Sequence, residues 1–327
     1  MDNKEVILSV CVTFCNQERY IRSALDGIIK QNVGFDYEIL IGLDGKKEES
    51  LEIIKEYTDK YDFIKVYESF CSDWNCINIE KASANRLNLL KHAKGKYFCI
   101  LDGDDCYGDE EQFQMQVDAL QKNADCIGCA VGQIFVYPTY EKNLLYPSPT
   151  FYTLKSYIKS NRYIHNGAIM FRNIFKYNFP KGFPEKIVND TTMTMYMMKF
   201  GKVAYIPLAS YRYTISDTGI YQGVDDFIKK LYAVLDAEVN LQYMSICRKY
   251  LLKRYAARFV ELYHNRREYI LYNSEIDKIL KFAKENDCRL LRAVLSYGRS
   301  RNWLGRLWWS LLGKLILITK GYSGGNK

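Results

Sequence analysis

The sequence predicts an α/β fold, a mostly parallel central sheet flanked by helices, with a helical extension at the C-terminus. Three observations predict it. Short apolar runs alternate with amphipathic stretches over the first 122 residues, and repeated β–α units of that length build parallel sheets. Acidic residues follow the second and fourth runs, where ligands of such sheets sit. From 224 onward nearly every stretch has helical periodicity. With 48% apolar and 26% charged residues, the 327-residue chain can bury a large core. At ~150 residues per domain it allows about two domains.

The elements follow in order. Residues 6–14 read as a buried strand, and 18–31 as a helix with Ile21, Leu25, Ile28 and Ile29 at helical spacing. A second strand covers 37–43, and a helix covers 48–61 with Leu51, Ile54, Tyr57 and Tyr61 on one side. Strand 63–67, helix 78–92, strand 97–101 and helix 110–122 complete the alternating half. The run 126–136 reads as a further strand. Pro138, Pro147 and Pro149 then mark a loop-rich stretch. Strands are expected at 168–172 and 203–207, with a Met-rich helix between them at 191–200. The helices 224–250, 251–264, 274–286 and 290–318 follow. These boundaries predict a catalytic domain over 1–222, with halves 1–125 and 126–222, and a helical region over 223–327.

The formal net charge is +8, unevenly spread. Residues 248–327 carry 18 Lys/Arg against 6 Asp/Glu, while the first 247 carry 28 against 32. Charge therefore gives no reason to expect nucleic acid at the N-terminal part. The polar, acidic opening Met1–Glu5 is unlike a secretory leader. The 10 Cys are accordingly expected as free thiols in a reducing cytoplasm. Cys126 and Cys129 have redox or zinc spacing, but they lie in an apolar run without a second pair nearby, so a buried strand is expected.

The glycine-rich phosphate loops of P-loop enzymes and dinucleotide dehydrogenases are absent from the sequence. Strand ends carry acids instead: Asp44-Gly45 after the second strand and Asp102-Gly103-Asp104-Asp105 after the fourth. Three carboxylates in four residues repel one another unless a cation compensates. Oxygen ligands of this kind suit Mg²⁺ or Mn²⁺. The alternative is a solvated acidic turn.

Five blocks, in order over residues 6 to 215, resemble family 2 glycosyltransferases. They are the segment from Ser9 to Ile21, Tyr37 to Gly45, Asn85 through Asp105 with Gln112, Gln116 and Leu120 after it, Asn189-Asp190, and Gly201 to Ile206 with Tyr211-Arg212. The resemblance implies a GT-A fold and a nucleotide-sugar donor, most simply UDP-linked. It implies that Asp44 binds the base and that Thr13, Asn16 and Glu18 line the nucleotide pocket, with Asn85, Gly103 and Arg212 also on the donor side. Asp102 and Asp104 would form the metal-binding D-x-D element for Mn²⁺ or Mg²⁺, and Asp190 would be the catalytic base. The chain departs from the family pattern at Leu43 before Asp44 and at Ala84 before Asn85, where an acid and an arginine are usual. That second departure leaves open which cation meets the phosphates, with Arg86 as a candidate.

These residue types suit a single displacement with inversion at C1, which needs one base and no covalent nucleophile. The expected acceptor is a hydroxyl of a glycan or a lipid-linked glycan in surface polysaccharide synthesis. Asp190 has a second reading, as the N-cap of the helix that follows. His165 would touch the acceptor or simply sit satisfied in a loop. Leu304, Leu307, Trp308, Leu311, Leu312, Leu315 and Ile318 recur at helical spacing among basic residues. Segment 289–318 therefore suits an anionic membrane surface, which would place a cytoplasmic protein peripherally at the inner face of the membrane. The other reading of this tail is a helix packed on the catalytic domain or at a homodimer contact. Competing functions are a sugar-nucleotide nucleotidyltransferase and a non-catalytic GT-A-like scaffold. The turn Phe14-Cys15-Asn16-Gln17 lacks the Gly- and Arg/Lys-rich loop expected of the former.

Overall fold

The computed structural model describes residues 5–44, 48–69, 78–146, 150–160, 163–185, 187–215, 226–244, 247–264, 281, 284 and 285. The chain divides into two compact units, Met1–Gly223 and Val224–Lys327.

The first unit is built on one mixed sheet. Strand β1 (Leu8–Phe14) is a continuous apolar run, and all seven of its residues are buried, as expected for a strand covered on both faces. β2 (Tyr37–Leu43) and β4 (Tyr97–Asp102) flank it in parallel, and β3 (Ile64–Glu68) extends the sheet beyond β2. Helices α1 (Glu18–Ile29), α2 (Glu48–Lys60) and α3 (Asn78–His92) supply the crossovers. In α1 the apolar stripe Ile21, Ala24, Leu25 and Ile28 is fully buried. Its three larger side chains each contribute about 2 kcal/mol of apolar burial.

Beyond β4 come β9 (Ile169–Arg172), β6 (Cys126–Val136), β10 (Lys202–Thr214) and the two-residue β5 (Cys106–Tyr107), in that order. β9 runs antiparallel to both β4 and β6, so β6 and β10 again point the same way as β4. β7 (Glu141–Leu144) pairs with β6 and β8 (Phe151–Tyr152) with β10. Helix α4 (Gln112–Lys122) packs against β6, α5 (Leu154–Ser160) follows β8, and α6 (Asp190–Met197) precedes β10.

β10 is longer than the expected 203–207. Pro207 reads as a strand end in the sequence, yet the strand passes through it with register shifts between Ile206 and Ala209 and between Ala209 and Tyr211. A residue without an N–H is tolerated at such a bulge. Cys126 and Cys129 are free, buried thiols on β6, as expected of a strand.

In the second unit, α7 (Asp226–Tyr243) and α8 (Arg248–His264) pack on each other, and Phe227, Leu231, Val234, Leu241, Leu251 and Tyr255 are buried. The basic tail 289–318 lies outside the described residues. Among the described residues no helix is long and apolar enough to cross a membrane.

Candidate functional site

The C-terminal end of β1 carries the acidic turns. Thr13 lies in register with Gly42 on one side and Asp102 on the other. The Phe14 carbonyl accepts from Asp44 N–H and the Thr13 carbonyl from Gly103 N–H, both at 2.8 Å. Parallel pairing thus brings together two turns that are 58 residues apart in sequence. At Gly103 an added Cβ would lie 2.7 Å from the flexible Gln17 Oε1 and 3.1 Å from the Thr13 carbonyl oxygen, so this turn packs closely on the end of β1.

The three acids after β4 separate into three environments. Asp102 keeps 36% of its side chain exposed, while Oδ1 accepts from Thr13 Oγ1 at 2.6 Å. The buried Arg86 guanidinium pairs with it, Nη2 standing 3.0 and 3.2 Å from the two oxygens. Burial opposes the charge on both partners. Their mutual attraction, with the Thr13 bond, nevertheless holds Asp102 below its usual carboxylate value and Arg86 above its own. Asp105 is turned inward, accepting from the Tyr211 hydroxyl and from Thr214 N–H. Burial, reinforced by Asp104 and Asp102, pushes its carboxyl well up. The repulsion expected from the sequence is therefore relieved partly inside the protein, by Arg86 and by burial of Asp105. Asp104 stays half-buried at the turn.

Asp190 is the first residue of α6 rather than its cap. Asn189 is the N-cap, its Oδ1 accepting from Thr192 N–H at 2.9 Å. The alternative reading of Asp190 is corrected accordingly: its neighbour satisfies the helix end, and the Asp190 carboxylate is directed elsewhere. Oδ1 accepts from Asn166 N–H at 2.8 Å and Oδ2 from the Tyr163 hydroxyl. Arg86 also reaches this loop, because its Nη1 donates to the Val188 carbonyl at 3.1 Å and Ser83 Oγ accepts from Val188 N–H at 2.8 Å. Asp102 and Asp190 both act electrostatically on Arg86. One turn of α3 thereby ties the D-x-D strand end to the loop before Asp190.

The remaining expected residues are distributed around this centre. Asn16 sits exposed in the first turn with φ 53°, a left-handed conformation that Asn tolerates. Glu18 accepts from Ser50 Oγ at 2.5 Å. Asp44 is half-buried, and desolvation raises its carboxyl against the opposing charge of Lys81. Asn85 is buried behind β2, its Nδ2 donating to Gly42 O at 2.8 Å. Arg212 forms a bidentate ion pair with Glu141 of β7. His165 is buried, its ring stacked on Tyr213 at 4.0 Å, and desolvation lowers its pKa against the pull of Asp190 and Asp102. Sequence reasoning did not single out Tyr163 or Gln133. Neither lies in a motif, and only the fold brings Tyr163 to Asp190.

Among the described residues no group of three His, Cys, Asp or Glu side chains converges in a way that would hold a metal. A D-x-D site does not require one. Mg²⁺-type ions are commonly held by one or two carboxylates, with substrate phosphates completing the shell. The hard oxygens of Asp102 and Asp104 at an open strand end fit that chemistry.

The glycosyl transferase family 2 model matches residues 9–179, over half of the chain. A poly(ribitol-phosphate) beta-glucosyltransferase from Bacillus spizizenii is 32% identical over 104 residues, 32% of this chain and 16% of that protein. Among solved structures, residues 1–349 of S. aureus TarS in complex with UDP-GlcNAc superpose with a TM-score of 0.64 at 15% identity, covering 97% of this chain and 93% of that one. A mannosyltransferase from Pyrobaculum calidifontis in complex with GDP-Man and Mn²⁺ gives 0.52 at 12% identity, covering 97% and 86%. The chain spans about two fifths or less of the length of the curated relatives it matches. A matching profile through both acidic turns, on a sheet of this topology, settles the family: the chain belongs to glycosyl transferase family 2 and has the GT-A fold.

Proposed function

We propose that this protein transfers a sugar from a nucleotide-linked donor to a hydroxyl acceptor with inversion, in the synthesis of a cell-surface polysaccharide. The observation that carries the reading is the α3 tie. Asp102, held by Thr13 and Arg86, and Asp190, two residues past the Arg86-bound Val188 carbonyl, are built as one unit. Thr13, Asn16, Glu18 and Asp44, at the ends of β1 and β2 and the start of α1, would hold the nucleotide in the 1–125 half. Asn85 would support that end by its bond to the Gly42 carbonyl and Gly103 by its bond to the Thr13 carbonyl, and Arg212, which pairs with Glu141, would reach the diphosphate.

Asp102 and Asp104 would hold Mn²⁺ or Mg²⁺, which when bound neutralises charge growing on the leaving diphosphate. Asp190 takes the proton of the attacking hydroxyl, and its hydrogen bonds fix the carboxylate for that transfer. UDP is the favoured nucleotide, in line with the TarS complex. The Bacillus relative's name, a poly(ribitol-phosphate) beta-glucosyltransferase, supports a hydroxyl-bearing polymer as the acceptor class. Segment 289–318 would hold the enzyme on an anionic membrane, as its sequence pattern suggests, and residues 223–327 would form that helical module.

The test is Mn²⁺-dependent turnover of UDP-glucose, UDP-galactose and UDP-GlcNAc. Asp104→Ala and Asp190→Asn are each expected to lose on the order of 10²–10⁴-fold in kcat. Wild-type turnover in both variants would refute the assignment.

A further inference from the structure

We propose that Gln133 is the positioning residue for Asp190, acting through Tyr163 and Asn166; the proposal rests on Asp190 being the base. Gln133 lies on β6 directly opposite Leu144 of β7 on one side and Tyr211 of β10 on the other, and it is fully buried. All its polar atoms serve one short segment. Nε2 donates to the Tyr163 carbonyl at 3.0 Å. Oε1 accepts from His165 N–H at 3.0 Å and stands 2.5 Å from His165 Nδ1.

A carboxamide oxygen only accepts, so His165 Nδ1 carries a proton. The imidazole is then wedged between Tyr163 at 4.6 Å and Tyr213 at 4.0 Å. The segment held this way carries both donors to Asp190: the Tyr163 hydroxyl on Oδ2 and the Asn166 N–H on Oδ1. The Asp190 carboxylate therefore cannot rotate without breaking a bond to a segment that Gln133 bolts to the sheet. Tyr163 is itself 39% exposed. The carboxylate orientation is fixed before acceptor binding, which lowers the cost of reaching an attack geometry.

The experiment measures kcat and donor KM for Mn²⁺-dependent hydrolysis of UDP-GlcNAc, UDP-glucose and UDP-galactose, together with the thermal midpoint with and without UDP and Mn²⁺. Tyr163→Phe and Gln133→Met are each expected to lower kcat on the order of ten- to a hundredfold, with donor KM and the UDP-induced thermal shift unchanged. The double variant is expected to be slower than the worse single one by less than the product of the two effects, because both act through segment 163–166 on the same carboxylate. A Gln133→Met protein with a lower thermal midpoint but wild-type kcat would make Gln133 merely structural and overturn the proposal. If that variant does not fold, wild-type kcat in Tyr163→Phe overturns it. Asp190→Asn separates the two readings. Wild-type turnover there removes the base itself, whereas an inactive Asp190→Asn beside a fully active Tyr163→Phe removes only the brace.

Discussion

Arg86 shows how one side chain decides the electrostatics of this site. It is almost fully buried, and its Nη atoms are divided between Asp102 and the Val188 carbonyl. A lysine carries the same charge but lacks the planar fork needed to serve both partners at once. Arg86→Lys is therefore expected to cost about 1–3 kcal/mol, discounted for the partial exposure of Asp102, and to lower kcat by displacing the loop before Asp190. The pH dependence has a definite sign. Asp102 is held below its usual value, so the pair contributes stability above the unfolded-state value near 3.8, and loses it as pH falls through the folded value. Urea unfolding of wild type and Arg86→Lys should differ at pH 7, and the gap should shrink only as pH falls from 3.8 through the lower folded value. A gap independent of pH would show that Arg86 acts only by packing. The sequence made Arg86 a candidate for the phosphates. It did not reveal the partners that hold it, because Val188 lies 102 residues away.

At the scale of elements, the packing of α3 on β2 turns on Gly42. A Cβ there would stand 1.9 Å from Asn85 Oδ1 and 2.9 Å from Leu89 Cδ1. Both neighbours are buried, so neither can swing into solvent. Gly42→Ala is expected to destabilise by about 1–3 kcal/mol, and Asn85→Ala to recover part of that loss in the double variant. Denaturant midpoints for the cycle measure the coupling, and strict additivity would show that the two do not collide. Helices and strands of the first 122 residues were legible because each repeats one period long enough to read. The short strands β5, β7 and β8 and helix α5 were not. Two to seven residues carry too little periodicity, and they form because longer neighbours offer an edge or a face. Pro207 misled for a related reason: a proline ends a strand by local rules, but the β6 partner carries the pairing across the bulge.

For the whole molecule, the order β3-β2-β1-β4 places the ends of β1, β2 and β4 side by side. The antiparallel β9 then joins that half to β6 and β10; β10 carries Tyr211 to Asp105, and Gln133 of β6 holds the segment of Tyr163 and His165 that leads into β9. A ligand spanning this arrangement should stabilise the Met1–Gly223 unit as a whole. With UDP at 100 times its Kd in the presence of Mn²⁺, the gain should be about 2.7 kcal/mol, read as a rise in thermal midpoint that chelation removes. An equal rise without any divalent ion would argue against Asp102 and Asp104 as its ligands.

The amino-acid order alone determined the alternation of strands and helices, the placement of Asp44, Asp102 and Asp104 at strand ends, and the family pattern. Each is written in residues close together in the chain, where period and spacing carry the information. Tertiary structure alone decided which acid is paired, which is buried and which accepts a tyrosine. Those outcomes depend on partners brought from 16 to 109 residues away. A carboxylate's charge, orientation and solvation follow from what surrounds it in space, and that is fixed only when the sheet closes.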